Sequence, residues 1–483
     1  NPREEVLRPA RRRFLRDAAL LAGGLVIGFR LPEKGGRAWA AKEAAAGAAK
    51  VYPPNAFIRI AADDSVTLIV NKSEMGQGVY TSLPMLINEE LDAPWERIRV
   101  EAAPVAAVYN HTQFGIQLTG GSTSVASSWE QLRGVGASAR ILLVQAAAQR
   151  WGVPASACKA ENGRIFHPDG HTSLSYGEVA EEAGKLPLPA EVPLKDPKHF
   201  KWIGKSLKRL DTPEKITGKA VFGIDVRLPD MVTVLVARSH VFGGKLKRFD
   251  ATETLKVPGV VGVYEVPTGV AVAANGFWPA KTARDLLQTE WDEGEGAALS
   301  TAKLREEYFA LARTPGAVAR RDGDVAAGLK AAVKTVRAEY EVPYLAHAPM
   351  EPLNVTVDLR PDHCTIWTGT QSQTLDRMAA ATAAGLQPEE VEIYTTYLGG
   401  GFGRRANPHA DFVTEAVQVA KAVGRPVQVI WTREDDLRGG YYRPMWVDVI
   451  EAAIGKGGKP VAWKHTIVGQ SIMEGTPMAA AID

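Results

Sequence analysis

The sequence has little of what would mark it as a cluster-binding, nucleic-acid-binding or membrane-embedded protein. Its 483 residues include only two cysteines, Cys158 and Cys364, far apart and without a CxxC pair. They cannot hold an iron–sulfur cluster, which needs about four thiolates. They could form at most one disulfide, but we expect two buried, reduced thiols. The formal net charge is only +2, which offers no electrostatic footprint for nucleic acid.

Several common catalytic patterns are absent as well. The sequence contains no P-loop, no G-x-S-x-G nucleophile elbow, and no grouping of His, Cys, Asp or Glu with a recognisable metal-ligand spacing. We therefore expect no metal bound directly by side chains, and that any metal is held through a cofactor.

The N-terminal region has the pattern of an export signal. Arg11, Arg12 and Arg13 precede a moderately apolar run at residues 18–29, and Ala38-Trp39-Ala40 offers a small-x-small cleavage site. The paired arginines resemble the twin-arginine signal, which exports folded proteins. We expect the protein to be exported to the periplasm, with the inner membrane as a further expected location. The alternative is that this N-terminal segment is a basic amphipathic surface helix. No other stretch is long and apolar enough to cross a membrane.

Beyond an Ala-rich linker that ends near residue 50, helical and strand patterns alternate, which predicts an α+β multidomain protein. The divisions that we expect are residues 1–50, 51–200, 201–295 and 296–483. The helices that we predict are residues 81–91, 124–151, 280–289, 301–312, 325–333, 373–384 and 411–423. The strands that we predict are residues 57–60, 66–70, 97–100, 222–226, 231–237, 260–266, 336–342, 355–359, 364–367, 391–397 and 427–431.

A glycine-rich segment at residues 399–405, Gly-Gly-Gly-Phe-Gly-Arg-Arg, lies between a predicted strand and a predicted helix. Glycines allow a close backbone approach, a helix N-terminus favours anions, and arginines pair with phosphates. Gly401, Gly403 and Ala406 also match G-x-G-x-x-A, with Glu434 and Asp435 after the next strand. A nicotinamide or flavin dinucleotide site is therefore one alternative, and a purely structural turn is another.

Three further segments could contact a ligand. Glu74-Met75-Gly76-Gln77-Gly78 joins a strand to a helix, and its glycines would let the Gln77 amide face a ligand. Residues 119–124, Thr-Gly-Gly-Ser-Thr-Ser, open the long predicted helix and offer hydroxyl and N–H groups to an anion. Residues 347–352, His-Ala-Pro-Met-Glu-Pro, are followed by Thr-Gln-Ser-Gln at 370–373. Each of these could instead be an ordinary turn, cap or core segment.

Together these motifs resemble the molybdopterin-binding large subunits of the xanthine oxidase family. The nearest types are the isoquinoline 1-oxidoreductase beta subunit and the membrane-linked aldehyde dehydrogenase large subunit, and the resemblance runs from about residue 57. It implies that residues 51–200 contact molybdopterin, that 201–295 form an α/β hammerhead domain from Asp211 onward, and that 296–483 are a partial molybdopterin-binding domain.

The resemblance also implies roles for individual residues. Gln371 would lie near the apical oxo group and Phe402 would flank the substrate, as the catalytic residues. The residues implied to bind the cofactor are Gly76, Gln77, Gly78, Gly121, Ser122, Thr123, Ser124, Gly400, Gly401, Gly403 and Arg404.

Two departures from the family pattern bear on activity. GGGFGGKE has become GGGFGRRA, so Ala406 replaces an acidic residue that helps to bind purines, which argues against xanthine-like substrates. The family's base, a glutamate in a G-V-G-E segment near the C-terminus, has no counterpart, and by family reckoning residues 478–483 fall in mid-domain. We therefore expect no activity without a further C-terminal segment and a partner subunit.

The implied reaction is hydroxylation of an aldehyde or an N-heteroaromatic compound with oxygen from water. It implies a molybdenum–molybdopterin cofactor, in bacterial members usually the cytosine dinucleotide form. It also implies a small subunit with two 2Fe–2S clusters and, in some members, a cytochrome c subunit. Two alternatives stay open: a nicotinamide or flavin dinucleotide dehydrogenase, and an inactive, truncated or cofactor-free fragment.

Overall fold

A computed structural model of the chain describes residues 54–472 and 474. These residues form two compact units. The first unit runs to Met231 and includes Val355–Gly401, and the second contains Val232–Asn354 and the chain from Phe402 onward. The predicted signal and linker at 1–50 and the terminal residues 478–483 lie outside the described residues. Within the described part, no helix combines the length and apolarity needed to span a membrane.

Helices and strands are numbered in chain order. The α-helices are α1 (Pro54–Phe57), α2 (Val79–Leu91), α3 (Ser124–Trp151), α4 (Tyr176–Lys185), α5 (Thr212–Ile216), α6 (Phe277–Leu286), α7 (Thr301–Leu311), α8 (Val325–Lys330), α9 (Gln373–Ala384), α10 (Asp411–Val423) and α11 (Arg433–Arg438). The strands are β1 (Ile58–Ile60), β2 (Val66–Val70), β3 (Ile98–Ala102), β4 (Lys159–Glu161), β5 (Arg164–Phe166), β6 (Ser173–Ser175), β7 (Val232–Ala237), β8 (Lys245–Asp250), β9 (Val260–Val266), β10 (Gly269–Ala274), β11 (Gln288–Asp292), β12 (Lys334–Val342), β13 (Asn354–Arg360), β14 (His363–Thr368), β15 (Val391–Thr395), β16 (Val427–Ile430), β17 (Trp446–Ile454) and β18 (Pro460–Gly469).

The first unit is built around a small sheet and two long helices. β1 pairs with β2 antiparallel, and β2 pairs with β3 parallel. Parallel neighbours need a crossover connection, and α2 supplies it between β2 and β3. Apolar side chains of the sheet and both long helices are buried in one core, among them Leu68, Leu83, Ile87 and Leu132.

Helices α2 and α3 approach each other closely at Gly136. A Cβ atom there would lie 2.1 Å from the carbonyl oxygen of Ile87, so only glycine permits this separation. Helix α3 ends at Gly152, which has φ 71° and donates its N–H to Ala148 and Gln149. The helix and its glycine stop signal were both predicted from the sequence, and both are confirmed.

The remaining strands of the first unit form a three-stranded sheet, β4-β5-β6, and a hairpin, β13-β14. β15 pairs with β14 in parallel, and α9 provides the crossover between them. The predicted hairpin is confirmed. The crossover places the segment just before α9 and the segment just after β15 at the same edge of these strands, because the carboxyl ends of parallel strands lie together.

In the second unit, β9, β10 and β7 are antiparallel neighbours, and β16 pairs with β7 in parallel. β10 is buried along its whole length, as expected for a strand covered on both faces. A separate antiparallel sheet, β12-β17-β18, packs one face against α7 and α8. Its other face exposes Val336, Tyr340, Trp463 and Ile467.

The predicted α+β class is confirmed, and most helices and strands begin within a few residues of their predicted positions. One prediction is wrong: residues 222–226 do not form a strand but contain a 3-10 turn, Gly223–Asp225. Asp225 accepts a hydrogen bond from the Phe222 N–H at 3.1 Å and closes this turn. The four-part domain division stays a prediction.

Both cysteines are free, as predicted. Cys364 is fully buried, whereas Cys158 is only partly buried. Burial, followed by the charge of Asp358, raises the pKa of the Cys364 thiol to about 12, so this thiol stays protonated at neutral pH.

Candidate functional site

The loop at residues 74–78 connects β2 to α2 and is shaped by its first residue. The Glu74 carboxylate is buried and accepts hydrogen bonds from the N–H groups of Gly76 (2.8 Å), Gly78 (3.1 Å) and Tyr80 (3.0 Å). Gly76 and Gly78 have φ of 112° and 89°, a region that side chains disfavour. The loop therefore has one defined conformation, and it exposes Gly76 and Gln77.

The side-chain amide of Gln77 is turned into this loop. Its Oε1 accepts from the Met75 N–H at 2.8 Å, and its Nε2 donates to the Ser73 carbonyl at 2.9 Å. The sequence suggested that this amide would face a ligand. The structure corrects that expectation, because both ends of the amide already close the loop, and the exposed groups here are backbone atoms.

The turn that opens α3 has the geometry of an anion-accepting turn. Gly121 and Ser122 have φ of 64° and 56° and are exposed. No side chain caps the first turn of this 28-residue helix, and that turn contains no acidic residue. Thr123 instead donates its hydroxyl to the Gly120 carbonyl at 2.8 Å. N–H groups at such a helix start favour a negatively charged ligand, and the anion site at this turn stays a prediction.

Two titratable side chains pack behind this turn. Lys72 is buried and donates to the Leu118 carbonyl at 2.9 Å, and burial lowers its pKa to about 8. His111 lies 2.7 Å from the Thr123 hydroxyl through Nε2. Burial, followed by the charge of Lys72, lowers the pKa of His111 to about 4. The imidazole is therefore neutral at pH 7, and the ammonium is the positive charge behind the turn.

Gln371 connects this turn to the segment before α9. Its Nε2 donates to the Thr119 carbonyl at 2.9 Å, and its own carbonyl accepts from the Thr119 N–H at 2.8 Å. Ser73, beside the first loop, donates its hydroxyl to the Thr370 carbonyl at 2.6 Å and its N–H to the Thr119 hydroxyl at 2.8 Å. Three segments that are far apart in the sequence are thus joined around Gln371.

The glycine-rich segment completes the cluster. A Cβ atom at Gly401 would lie 2.5 Å from Gln371 Oε1 and 2.8 Å from Met75 Sδ. A side chain is excluded there, so the Gly401 backbone lies directly against the Gln371 amide. Leu398, three residues earlier, donates its N–H to the Glu74 carbonyl at 3.1 Å. The first unit therefore brings together residues 72–78, 117–123, 370–374 and 398–401.

Several buried polar atoms in this cluster have no hydrogen-bond partner within the described chain. They are both amide atoms of Gln117, the Ser372 hydroxyl and Gln373 Oε1. Gln117 is 1% exposed, and its N–H donates to Thr374 at 2.9 Å, so these groups lie in the same region. Buried polar groups are normally paired. Such a donor and acceptor set fits a ligand rich in ring nitrogen and oxygen atoms, as the implied pterin is.

The second unit holds the rest of the glycine-rich segment. Phe402 has φ 56° and is 72% exposed. A bulky aromatic residue in the left-handed region is an outlier of the kind that concentrates at functional sites. His347 approaches the same segment, because a Cβ atom at Gly403 would lie 4.0 Å from its Nε2. Burial, followed by the charge of Arg404, lowers the pKa of His347.

The two arginines of this segment are buried and paired with carboxylates. Arg404 donates to both oxygens of Asp411, at 2.9 and 2.7 Å. Arg405 is fully buried and pairs with Glu351 at 3.1 Å. This contradicts the expectation that both guanidinium groups are available to a phosphate. Instead they support the loop, with Glu351 contributed by the His-Ala-Pro-Met-Glu-Pro motif.

The dinucleotide alternative fails on local geometry. Residues Arg404–Ala406 form a 3-10 turn, and α10 begins only at Asp411, after Ala410 with φ 48°. A dinucleotide fingerprint requires the glycines to open the helix directly. The expected helix N-terminus immediately beyond the glycines is therefore wrong, and the dinucleotide alternative loses its support.

Sequence reasoning missed three contributors: the carboxylate of Glu74, the buried ammonium of Lys72 and the orphaned amide of Gln117. Glu74 is the first residue of the motif at 74–78 and Lys72 lies two residues before it, and this proximity was the only signal for both. No group of three His, Cys, Asp or Glu side chains that could hold a metal ion is present in the described part of the chain.

Comparison with known proteins gives matches over most of the chain. Two family models described as molybdopterin cofactor-binding domain match residues 35–227 and 311–475. The beta chain of isoquinoline 1-oxidoreductase from Brevundimonas diminuta is 30% identical, over 97% of this chain and 65% of that protein. A membrane-bound aldehyde dehydrogenase (pyrroloquinoline-quinone) from Gluconacetobacter polyoxogenes is 27% identical, over 98% and 63%. One nicotinate dehydrogenase subunit from Pseudomonas putida is 28% identical, over 79% and 32%. The chain spans less than two thirds of the length of each of these relatives.

Proposed function

The chain belongs to the molybdopterin-binding proteins of the xanthine oxidase family, and from this membership we propose that it is the molybdenum-cofactor-binding catalytic subunit of an oxidoreductase. The reaction is hydroxylation of an aldehyde or an N-heteroaromatic compound with oxygen from water. Relatives named for isoquinoline, nicotinate and aldehyde support these two substrate classes.

The observation that carries the proposal is the convergence of four segments around Gln371. Each of them was singled out in the sequence for a separate reason, and hydrogen bonds of 2.6–2.9 Å now join three of them. The fourth, at Gly401, contacts Gln371 so closely that a methyl group could not be inserted. A structural turn alone has no need for such a contact or for unpaired buried amides beside it.

The chain's own residues would bind and orient the cofactor. The exposed backbone of Gln77 and the N–H groups of the Gly121–Ser124 turn would meet the pterin and its phosphate, and Gln371 would lie nearest the reacting centre. Phe402 would flank the substrate, where its exposed ring can pack against an aromatic or aliphatic group. A bound molybdenum–pterin supplies the redox chemistry, and the protein supplies orientation and electrostatics.

The residue after the two arginines bears on the substrate. Ala406 stands where family members that oxidise purines carry an acidic residue. An alanine side chain cannot accept a hydrogen bond from a purine. The proposal therefore favours less polar aldehydes and N-heterocycles over xanthine-like substrates.

Two cysteines in 483 residues cannot hold an iron–sulfur cluster. Electrons from the substrate must therefore pass from this chain to another carrier. A small subunit with two 2Fe–2S clusters is the proposed acceptor, with a cytochrome c subunit as a further carrier. We also propose the cytosine dinucleotide form of the cofactor and export to the periplasm by the twin-arginine signal. One relative is named for pyrroloquinoline quinone, but both matching family models describe molybdopterin.

The test is the molybdenum and pterin content of the protein purified from its native host with its copurifying subunits. Elemental mass spectrometry should give about one molybdenum per chain, together with iron from a partner. Oxidative release should yield a fluorescent pterin in the same ratio. An intact, folded chain with neither molybdenum nor pterin would overturn the proposal and leave a cofactor-free protein. A bound flavin would point instead to a dehydrogenase.

A further inference from the structure

The exposed Gly76–Gly78 loop is held from beneath by one buried carboxylate. Glu74 is 1% exposed, and its two oxygens accept from three loop N–H groups, those of Gly76, Gly78 and Tyr80. Hydrogen bonds to an ionised acceptor are about twice as strong as neutral ones. A segment that contains two glycines would otherwise have unusual conformational freedom, and Glu74 removes that freedom.

A second chain segment holds the other side of the loop. Arg209 donates from Nη1 to the Gly76 carbonyl at 2.8 Å and from Nη2 to Glu74 at 2.9 Å. Both backbone polar groups of Gly76 are therefore bound by charged side chains. The loop is therefore bound on one side by Glu74, its own first residue, and on the other side by Arg209, which lies 133 positions beyond Gly76.

Arg209 is in turn fixed by Asp211. Two hydrogen bonds, at 3.0 and 2.7 Å, join the guanidinium to the Asp211 carboxylate, a bidentate geometry that restricts its orientation. Lys215 binds the same carboxylate at 2.5 Å and lies 3.7 Å from Glu74. Burial alone would raise the pKa of Asp211, but hydrogen bonds from Arg209 and Lys215 outweigh it and hold the pKa at about 2. The Asp211 carboxylate thus stays ionised at any physiological pH.

An ordinary structural carboxylate exists in the same unit for comparison. Glu89 is also fully buried, and it accepts from the N–H groups of Lys201, Trp202 and Ile203 at 2.8–3.1 Å. It closes a segment away from the glycine loop. What distinguishes Glu74 is that the N–H groups it binds belong to a loop whose remaining backbone surface is exposed beside Gln371.

We propose that Glu74 and Arg209 are positioning residues, which preorganise the Gly76–Gly78 backbone so that it receives the pterin without an ordering cost at binding. This inference rests on the proposed function for the identity of the ligand. The preorganisation itself is a property of the chain alone and can be measured with no ligand bound.

The test compares Glu74→Gln and Arg209→Met with the matched control Glu89→Gln. Hydrogen–deuterium exchange, read by mass spectrometry on peptides covering residues 73–83, measures loop order directly. Glu74→Gln should speed exchange in these peptides by at least about tenfold, because charged acceptors are lost. Arg209→Met, a change at a side chain that is 36% exposed, should act in the same direction with less risk to the fold. Glu89→Gln should speed exchange at 201–203 and leave 73–83 unchanged.

Released pterin per folded chain is the second readout. It should fall at least about tenfold in Glu74→Gln and stay at the wild-type level in Glu89→Gln. Unchanged exchange at 73–83 in Glu74→Gln and Arg209→Met, or equal loss of pterin in the Glu89 control, would overturn the inference. If the wild-type chain carries no pterin, the proposed function fails, and the exchange data still decide whether Glu74 and Arg209 order the loop.

Discussion

Replacing Gly401 by alanine would insert a methyl group between the glycine loop and the Gln371 amide. The added Cβ would lie 2.5 Å from Gln371 Oε1, about 0.9 Å closer than the 3.4 Å at which ordinary van der Waals contact begins. Gln371 cannot simply swing away, because its Nε2 donates to the Thr119 carbonyl at 2.9 Å. Relief of the clash therefore breaks one of the hydrogen bonds that join the cluster.

The expected cost follows from these two effects. Overpacking of a tight contact costs about 1–3 kcal/mol, and a lost buried hydrogen bond adds about 1 kcal/mol. The free energy of unfolding of the first unit should thus fall by roughly 2–4 kcal/mol. For a unit of this size, each kcal/mol lowers Tm by about 2–4 °C.

Scanning calorimetry and pterin content should be measured on the same preparations. Gly134→Ala is the matched control, since a Cβ atom at this position in α3 meets nothing within 4 Å. It should stabilise the helix by up to about 1 kcal/mol and leave pterin content unchanged. A Gly401→Ala protein that has wild-type Tm and wild-type pterin content would refute the account of this contact.

Three further outcomes are expected. Gln371→Ala should reduce turnover by about 10–100-fold while the chain stays folded; unchanged turnover would contradict the assignment. Because burial lowers the pKa of Lys72 to about 8 from the usual 10.5, the unfolded state binds more protons between these two pH values, and stability should rise with pH there. Lys72→Met should abolish that rise in urea unfolding at pH 7 and pH 10, and parallel profiles would be evidence against it. Arg11→Lys with Arg12→Lys should retain the protein in the cytoplasm on fractionation, and normal export would disprove the signal.

Local structure was largely predictable because it depends on neighbouring residues. The composition of α3, rich in the helix formers Ala, Leu and Gln, and its Gly152 stop specify a helix without reference to other parts of the chain. The hairpin β13-β14 likewise follows from two β-rich runs around a Pro-Asp turn. The 3-10 turn at Gly223–Asp225 was missed because a side chain, Asp225, captured the backbone N–H that a strand would have used.

Charge was the least reliable guide to the site. Arg404 and Arg405 read in sequence as phosphate-binding groups, but Asp411 and Glu351 satisfy both of them in the interior. The amide of Gln77 was expected to face a ligand and closes its own loop. A sequence shows which groups carry charge or hydrogen-bonding atoms, but not which partner will reach them first.

The sequence by itself determined the α+β class, the family, and the four glycine- or glutamine-bearing segments, because each depends on residue types at short spacing. Only the tertiary structure decided that these segments meet at Gln371, and that Gly401 contacts this residue so closely that no other amino acid is admitted. The tertiary structure alone also decided that Glu74 and Arg209 bind the backbone of the Gly76–Gly78 loop. The contacts of Gln371 with Thr119 and of Arg209 with Gly76 join residues more than 100 positions apart. Their geometry depends on how strands and helices pack, which no local pattern of residues records.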